Sequence, residues 1–463
     1  MLFAPERTTQ SGISGRDGRG RGIAEGQPRG SPETFSYAGA MSATTPSSID
    51  ISKRDLTLDI ARVFCVLLVV VIHMLMVGVG FDAKGALVIS KPLEDQTWFD
   101  AATWVGQIMP LFFVVGGFAS LTAWRSLVRR GGSATDYVRN RVLRLAQPAL
   151  PLFVFYVAVI GGATLFGVPK DLLDVVIVGA GLPLWFLAAY TLCQAFVPIM
   201  AGLHARAPRL TLVVLLAGVV VVDAIRFVPH GYWIGNVNLL FVWLLVQQFG
   251  FWYADGWFGA RRGWQLIAIA VGAYAALALI TFVGPYDTDM LAMLNPPTLC
   301  LVLLGLAQAC ILCLIRPALA RLMNTRAARA VVFLVGSRLM TIYLWHLPLI
   351  IALSGVALLI PGASPPPGSP AWWWSRPLFY VVVLVALFGL SFLVARWEAP
   401  REVGVTPPVG IVVLSVALTF IPAYCVLQWG LHTPFAIMGA LFLGAAVLLL
   451  GRWRSRTKVL VGV

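Results

Sequence analysis

Runs of about twenty apolar residues, each long enough to cross the hydrocarbon of a bilayer, recur along this chain with only short polar stretches between them. Twelve candidate spans can be drawn, at roughly 56–80, 103–124, 146–167, 181–201, 209–228, 236–254, 264–284, 297–315, 335–360, 377–396, 408–428 and 434–451. The fourth has the least certain start, because the apolar segment 172–180 either extends it or forms a re-entrant piece. Composition agrees. The 463 residues are 59% hydrophobic and 12% charged, with mean hydropathy +0.85, against about 25% charged residues in an ordinary soluble domain. The expected fold is an all-α polytopic transmembrane helix bundle.

The net charge of +14 does not point to nucleic acid, because the basic residues sit in short loops between apolar runs rather than on one soluble face. With the N-terminus inside, twenty-three of the 34 Lys and Arg residues fall in inner loops and flanks and five in outer loops. That asymmetry predicts a multi-pass protein of the cell membrane with both termini cytoplasmic. Residues 1–50, rich in Gly, Ser, Pro and Arg, are expected to be a disordered tail, part of which precedes a second candidate start at Met41. The six cysteines lie almost wholly in apolar runs, and Cys310-x-x-Cys313 has no second ligand pair, so neither a disulfide framework nor a metal site is expected.

Within the first span, Arg54 to Met76, two ionisable side chains stand out: Arg62 and His73. Ionisable groups are expensive in hydrocarbon. Eleven helical steps separate them, about 1100°, so both leave the helix on nearly the same face about 16 Å apart along the axis. Asp59, three residues before Arg62, shares that face and is placed to neutralise the guanidinium. Taken alone, each has a bland reading: an arginine that snorkels to headgroups and a histidine hydrogen-bonded for structure. A shared stripe pointing into a bundle keeps both groups off lipid.

Other marks follow along the chain. Phe112-Phe113-Val-Val-Gly116-Gly117-Phe118 permits a close helix crossing. Arg125, Arg129 and Arg130 are followed by Arg139, Arg141 and Arg144, and the last three fall within two helical turns, which suits phosphate recognition as well as generic positive-inside charge. Leu184-Trp185-Phe186-Leu187 lies in the fourth span, Tyr343-Leu-Trp-His346 in the ninth, and Glu398-Ala-Pro400 closes the tenth. Trp185 alone suits an interfacial belt, and His346 alone suits helix packing.

Taken in order, these residues resemble the acyltransferase-3 family of integral membrane acyltransferases, from Arg54 to Pro400. Arg62 and His73 match its Arg-x10-His pair, the Phe112–Phe118 segment its Phe-Phe run, and Arg141-Val-Leu-Arg144-x-x-x-Pro148 its Arg-x-x-Arg-x-x-x-Pro element. Trp185 falls in its Leu-Trp-Phe/Tyr-Leu mark, and Tyr343 and His346 in its Tyr-x-Trp-His pattern. Gly116 stands where the family pattern has Ser. The resemblance implies three regions: the tail 1–50, an acyltransferase core of ten spans over 51–400, and two further spans with a short basic tail over 401–463.

It also implies transfer of an acyl group, acetyl above all, from cytoplasmic acyl-CoA (acetyl-CoA) to a hydroxyl of a cell-envelope glycan, glycolipid or lipid-linked or small acceptor outside. His73 and Arg62 are the expected catalytic pair, with His73 as general base or acyl carrier and Arg62 holding the donor or the oxyanion. Arg139, Arg141 and Arg144 are expected to bind donor phosphates, and Asp59, Trp185, Tyr343 and His346 to line the substrate path. No permanently bound cofactor is expected; the partners are the donor, the acceptor and the lipid bilayer. The segments Pro229–Asn238 and Tyr286–Asp289 are weaker candidates for an acceptor entrance, and His204 has no evident partner. The alternative is a polytopic transporter using Arg62 and His73 as a proton or anion relay, and an inactive relative with a role in assembly is a third possibility.

Overall fold

The computed structural model describes residues 55–81, 85, 87–398 and 405–451. The expected tail, Arg54, Met41, Pro400 and the basic C-terminus lie outside them. Among the described residues, twelve helical segments are long and apolar enough to cross a membrane, so the helix bundle and its span count are as expected. The differences from the sequence reading lie where spans begin, end or break.

Helix α1 (Leu56–Met76) starts at Asp55, whose side chain accepts from the Thr57 amide and satisfies one of the orphan N–H groups of the first turn. At its far end the chain leaves the helix for a two-stranded antiparallel hairpin, β1 (Gly78–Phe81) with β2 (Leu87–Ser90). The second span is two pieces, α2 (Phe99–Gly106) and α3 (Met109–Arg129). The break at Gln107 and Ile108 is held by polar bonds: Gln107 Oε1 accepts from the Met109 amide at 3.2 Å, and the Gln107 carbonyl accepts from Gln308 Nε2 at 2.8 Å. Pro110 adds no donor to this buried helix start.

Helix α4 (Ala134–Leu165) begins a dozen residues before the expected third span, because Ser133 and Asp136 form a reciprocal cap ahead of it. Arg139, Arg141 and Arg144 therefore sit on a helix. The segment 172–180 forms a separate helix, α5 (Lys170–Gly181), and Pro183 starts the next, α6 (Leu184–Arg206). The chain continues through α7 (Pro208–Arg226), α8 (Asn238–Ala254), α9 (Gly263–Phe282), α10 (Leu299–Leu322), the short amphipathic α11 (Arg326–Gly336), α12 (Leu339–Leu358) and α13 (Pro370–Glu398).

Helix α8 runs against α3 with glycine on both sides of the contact. A Cβ on Gly117 would strike the Gln247 carbonyl, and one on Gly250 would strike the Val114 carbonyl, so the helices approach to backbone contact as the paired glycines suggested. The last two spans, α14 (Val409–Trp429) and α15 (Thr433–Gly451), pack on α6 and α4. There Gly439 leaves no room for a Cβ beside the Phe153 ring. They brace the two helices that carry Trp185 and the arginine row.

Candidate active site

Helices α1 and α12 lie side by side and bring together two histidines that are 273 residues apart in sequence. His346 Nε2 is 2.8 Å from His73 Nδ1, and His346 Nδ1 is 2.6 Å from the carbonyl oxygen of Tyr343, one turn back on its own helix. The rings are tilted by 32° with centroids 4.9 Å apart. His346 is fully buried, so its hydrogen bonds are unshared with solvent.

These contacts fix the protons. A carbonyl oxygen only accepts, so Nδ1 of His346 carries the hydrogen, and in a neutral ring its Nε2 is then the lone-pair nitrogen. His73 must donate from Nδ1 to that lone pair, which leaves the lone pair of His73 on Nε2. The chain of bonds runs from the Tyr343 carbonyl through His346 to His73 and ends in a lone-pair nitrogen, Nε2 of His73, that has no hydrogen-bond partner among the described residues.

That nitrogen belongs to a residue lining a cavity of about 320 Å³ at the Met76 end of α1. Trp185 and Tyr343 form part of its wall, together with Gln107 and Met109 at the break between α2 and α3. Trp185 is stacked on Trp243 with centroids 5.6 Å apart, and the Tyr343 hydroxyl donates to the Pro183 carbonyl at 2.9 Å, so both rings are held in place. Toward the mouth the wall is polar: Lys91 and Glu94, ion-paired at 2.9 Å, on one side, and Asp289 and Asn295 on the other. Burial pushes the Asp289 carboxyl above its ordinary range, against the opposing pull of the Leu291 and Ala292 amides, and Asp100 and Asp287 push the same way as burial.

The polar stripe on α1 does face inward, but its two ends meet different neighbours. Arg62 donates to the Val115 carbonyl on α3 at 3.1 Å and lies 3.7 Å from Asp59. Neither Arg62 nor Asp59 lines the cavity. Eleven residues of helix place Arg62 about 16 Å from His73 along α1, too far for its guanidinium to hold an oxyanion formed at the imidazole. The structure places Arg62 with Val115 and Asp59 rather than beside the imidazole. Helix periodicity also divides the arginine row: Arg139 is buried at 2% exposure, Arg144 is exposed, and the Arg141 guanidinium lies 5.1 Å from the centre of the Tyr137 ring.

Of the weaker entrance candidates, the Tyr286–Asp289 loop contributes Asp289 to the cavity. Residues 229–238 do not line it, because Asn236 pairs with Gln428 at 2.9 Å and Asn238 donates to Asp223 at 2.8 Å. Lys91, Glu94, Gln107 and Asn295 were invisible as site residues, being polar residues near span ends with no motif around them. His204, which showed no partner in sequence, has two: Gln248 Oε1 at 2.9 Å and Asp255 Oδ2 at 3.0 Å.

The comparison with curated proteins and that with solved structures gave no match. The family model described as an acyltransferase domain matches residues 55–396, which run from the cap of α1 into α13 and include both histidines, the cavity wall and the arginine row. The chain belongs to the acyltransferase-3 family, a family of membrane acyltransferases.

Proposed function

We propose that this protein transfers an acyl group, with acetyl as the first donor to test, from cytoplasmic acyl-CoA to a hydroxyl of a glycan, glycolipid or small acceptor of the cell envelope. The observation that carries the reading is the hydrogen-bond chain that leaves the Nε2 lone pair of His73 at the cavity wall. An acceptor hydroxyl beside Nε2 gives up its proton there as its oxygen bonds to the thioester carbonyl carbon. The carbon–sulfur bond then breaks, and the departing coenzyme A thiolate takes the proton from the imidazolium. His346 supports the charged ring by accepting from His73 Nδ1, and the Tyr343 carbonyl orients His346 in turn.

The excess of Lys and Arg in alternate loops supports an orientation with both termini in the cytoplasm. The cavity then opens outward and the arginine row faces inward, on the side of the donor. Arg141 and Arg144 are the phosphate contacts in this reading, and Arg62 has a place on the donor side, away from the reacting carbonyl. The test is incubation of the purified protein in nanodiscs with acetyl-CoA labelled in the acetyl group. Label transfer or coenzyme A release that disappears in His73→Ala supports the reading. Acetyl-CoA left intact by folded wild-type protein, with and without envelope lipid and glycan extracts, overturns it.

A further inference from the structure

Directly beneath the imidazole pair lies a second, much smaller void. It shares Val69, Met109 and Tyr343 with the cavity and extends down between Cys65, Val66, Phe112 and Phe186, so the two spaces meet at those three shared residues, of which Val69 lies one helical turn from His73. Its lower end is closed by rings: Phe112 meets Phe186 edge-on at 5.1 Å, and Phe186 meets Tyr343 at 4.5 Å. No water-sized sphere fits inside.

Below Phe112, α3 continues in four-residue steps that keep facing α6. The first step is Gly116, where an added Cβ would lie 3.4 Å from the Tyr190 ring. The second is Ser120, whose hydroxyl accepts from Gln194 Nε2 at 2.9 Å, while Gln194 Oε1 accepts from the Tyr137 hydroxyl at 3.1 Å. The Tyr137 ring in turn carries the Arg141 guanidinium, and Arg144 lies one turn further along α4 at the surface. The seam between α3, α4 and α6 is therefore aromatic near His73, rich in amide and hydroxyl groups in the middle, and cationic at the other end.

Resting on the acyltransfer reading above, we propose that this seam is the path of the donor's thioester arm, with Phe112 and Phe186 as its aperture. The sequence of chemistries matches coenzyme A from end to end. Its anionic phosphates meet Arg141 and Arg144, the amides of its arm exchange hydrogen bonds with Ser120, Gln194 and Tyr137, and its thioester passes the rings to reach the underside of His73. Gly116, where the family pattern has Ser, puts no side chain against Tyr190 in the middle of the path. The Phe112 and Phe186 side chains turn aside to admit the arm and close behind the acyl group, which keeps water and protons from leaking along the same route.

The test fills the path and then probes it. Val66→Phe and the series Gly116→Ala and Gly116→Leu are assayed in nanodiscs for coenzyme A release from acetyl-CoA, with folding checked by size-exclusion chromatography and thermal melting. The expected result is a fall in kcat/KM for acetyl-CoA of at least about tenfold in Val66→Phe and Gly116→Leu, graded by side-chain volume along the series. Folded variants that keep wild-type kcat/KM overturn the proposal.

A second measurement needs no turnover. In Phe112→Ala, where the aperture is widened, N-ethylmaleimide should label Cys65, and saturating coenzyme A should slow that labelling at least about fivefold by occupying the seam. Labelling that coenzyme A leaves unchanged, or no labelling of Cys65 in that variant, overturns the proposal even if the filled variants do not fold. Slowed labelling in a protein that releases no coenzyme A from acetyl-CoA would keep the path and remove the acyltransfer reading.

Discussion

Two histidines in this protein are almost wholly enclosed by protein and paired at both ring nitrogens, and a third is paired at one. His346 and His204 are the first two; His73 is the third. Around His204, both nitrogens face oxygen acceptors, Gln248 and Asp255, and Asp255 is also bonded to Arg125 at 2.5 Å. Both ring nitrogens are taken by protein groups, and the ring has nothing left to offer a substrate. It sits in the last turn of α6 and ties together the ends of α3, α6 and α8. His73 and His346 are joined to each other instead, through a single donor-to-acceptor direction that ends in a free lone pair at a cavity. Burial and pairing are common to both regions; whether the chain of bonds ends in an acceptor oxygen or an open nitrogen separates a clamp from the base proposed above.

The comparison breaks first at His73. His73→Ala should lower coenzyme A release from acetyl-CoA by about 10²–10⁴-fold, the usual worth of a general base, with little change in melting temperature. His204→Ala should do the reverse, leaving turnover per folded molecule near wild type. Equal losses of turnover from the two would erase the distinction drawn here. Next in size, His346→Phe removes the group that holds the His73 tautomer, and turnover should fall about 10- to 100-fold. No loss would mean that His73 is oriented by something else.

The stability side of the comparison comes next. Losing the His204 bonds leaves a buried Gln248 oxygen and a charged carboxylate short of a donor, so His204→Ala should lower the melting temperature, by an amount corresponding to about 1–3 kcal/mol. Arg125→Ala should lower it less, about 0–1 kcal/mol, because that pair is roughly two-fifths exposed on both sides.

The smallest expected effect is the pH dependence of this clamp. Burial alone would raise the Asp255 carboxyl, but the hydrogen bonds and charges of Arg125 and His204 outweigh it and hold it below the usual carboxylate range. A carboxyl with a depressed folded value adds stability that is complete above its ordinary range and is lost as pH falls through the folded value. Melting curves taken from neutral pH down to about pH 3 should therefore show an acid loss in wild type that is shallower in Asp255→Asn. Parallel curves would deny Asp255 a part in the clamp.

Much of this architecture is written in residue order. Apolar run length gives the twelve crossings, because a membrane segment must be long and uncharged whatever its neighbours do. Helical periodicity puts Arg62 and His73 on one inward face, since that face is the cheapest place for ionisable groups. The short motifs around Trp185, Tyr343 and His346 carry the family. The start of α4 was legible only in hindsight, from Ser133 and Asp136, because its first three turns are polar and hydropathy alone sees only the crossing.

Other features depend on which helices become neighbours, and no local pattern holds that information. Periodicity alone left His346 a packing histidine or a cavity liner; packing α12 against α1 made it the partner that assigns the protons of His73. The same packing put Arg62 on the Val115 carbonyl and away from the two histidines. It also built a cavity wall from Lys91, Glu94, Asp289 and Asn295, which lie in segments far apart in sequence. The sequence by itself determined that the chain crosses a membrane, how many times, and that a histidine would be carried inside. Tertiary structure decided which nitrogen of that histidine is basic and what it faces, because a tautomer is set by hydrogen bonds between helices, and those follow from packing rather than from spacing along the chain.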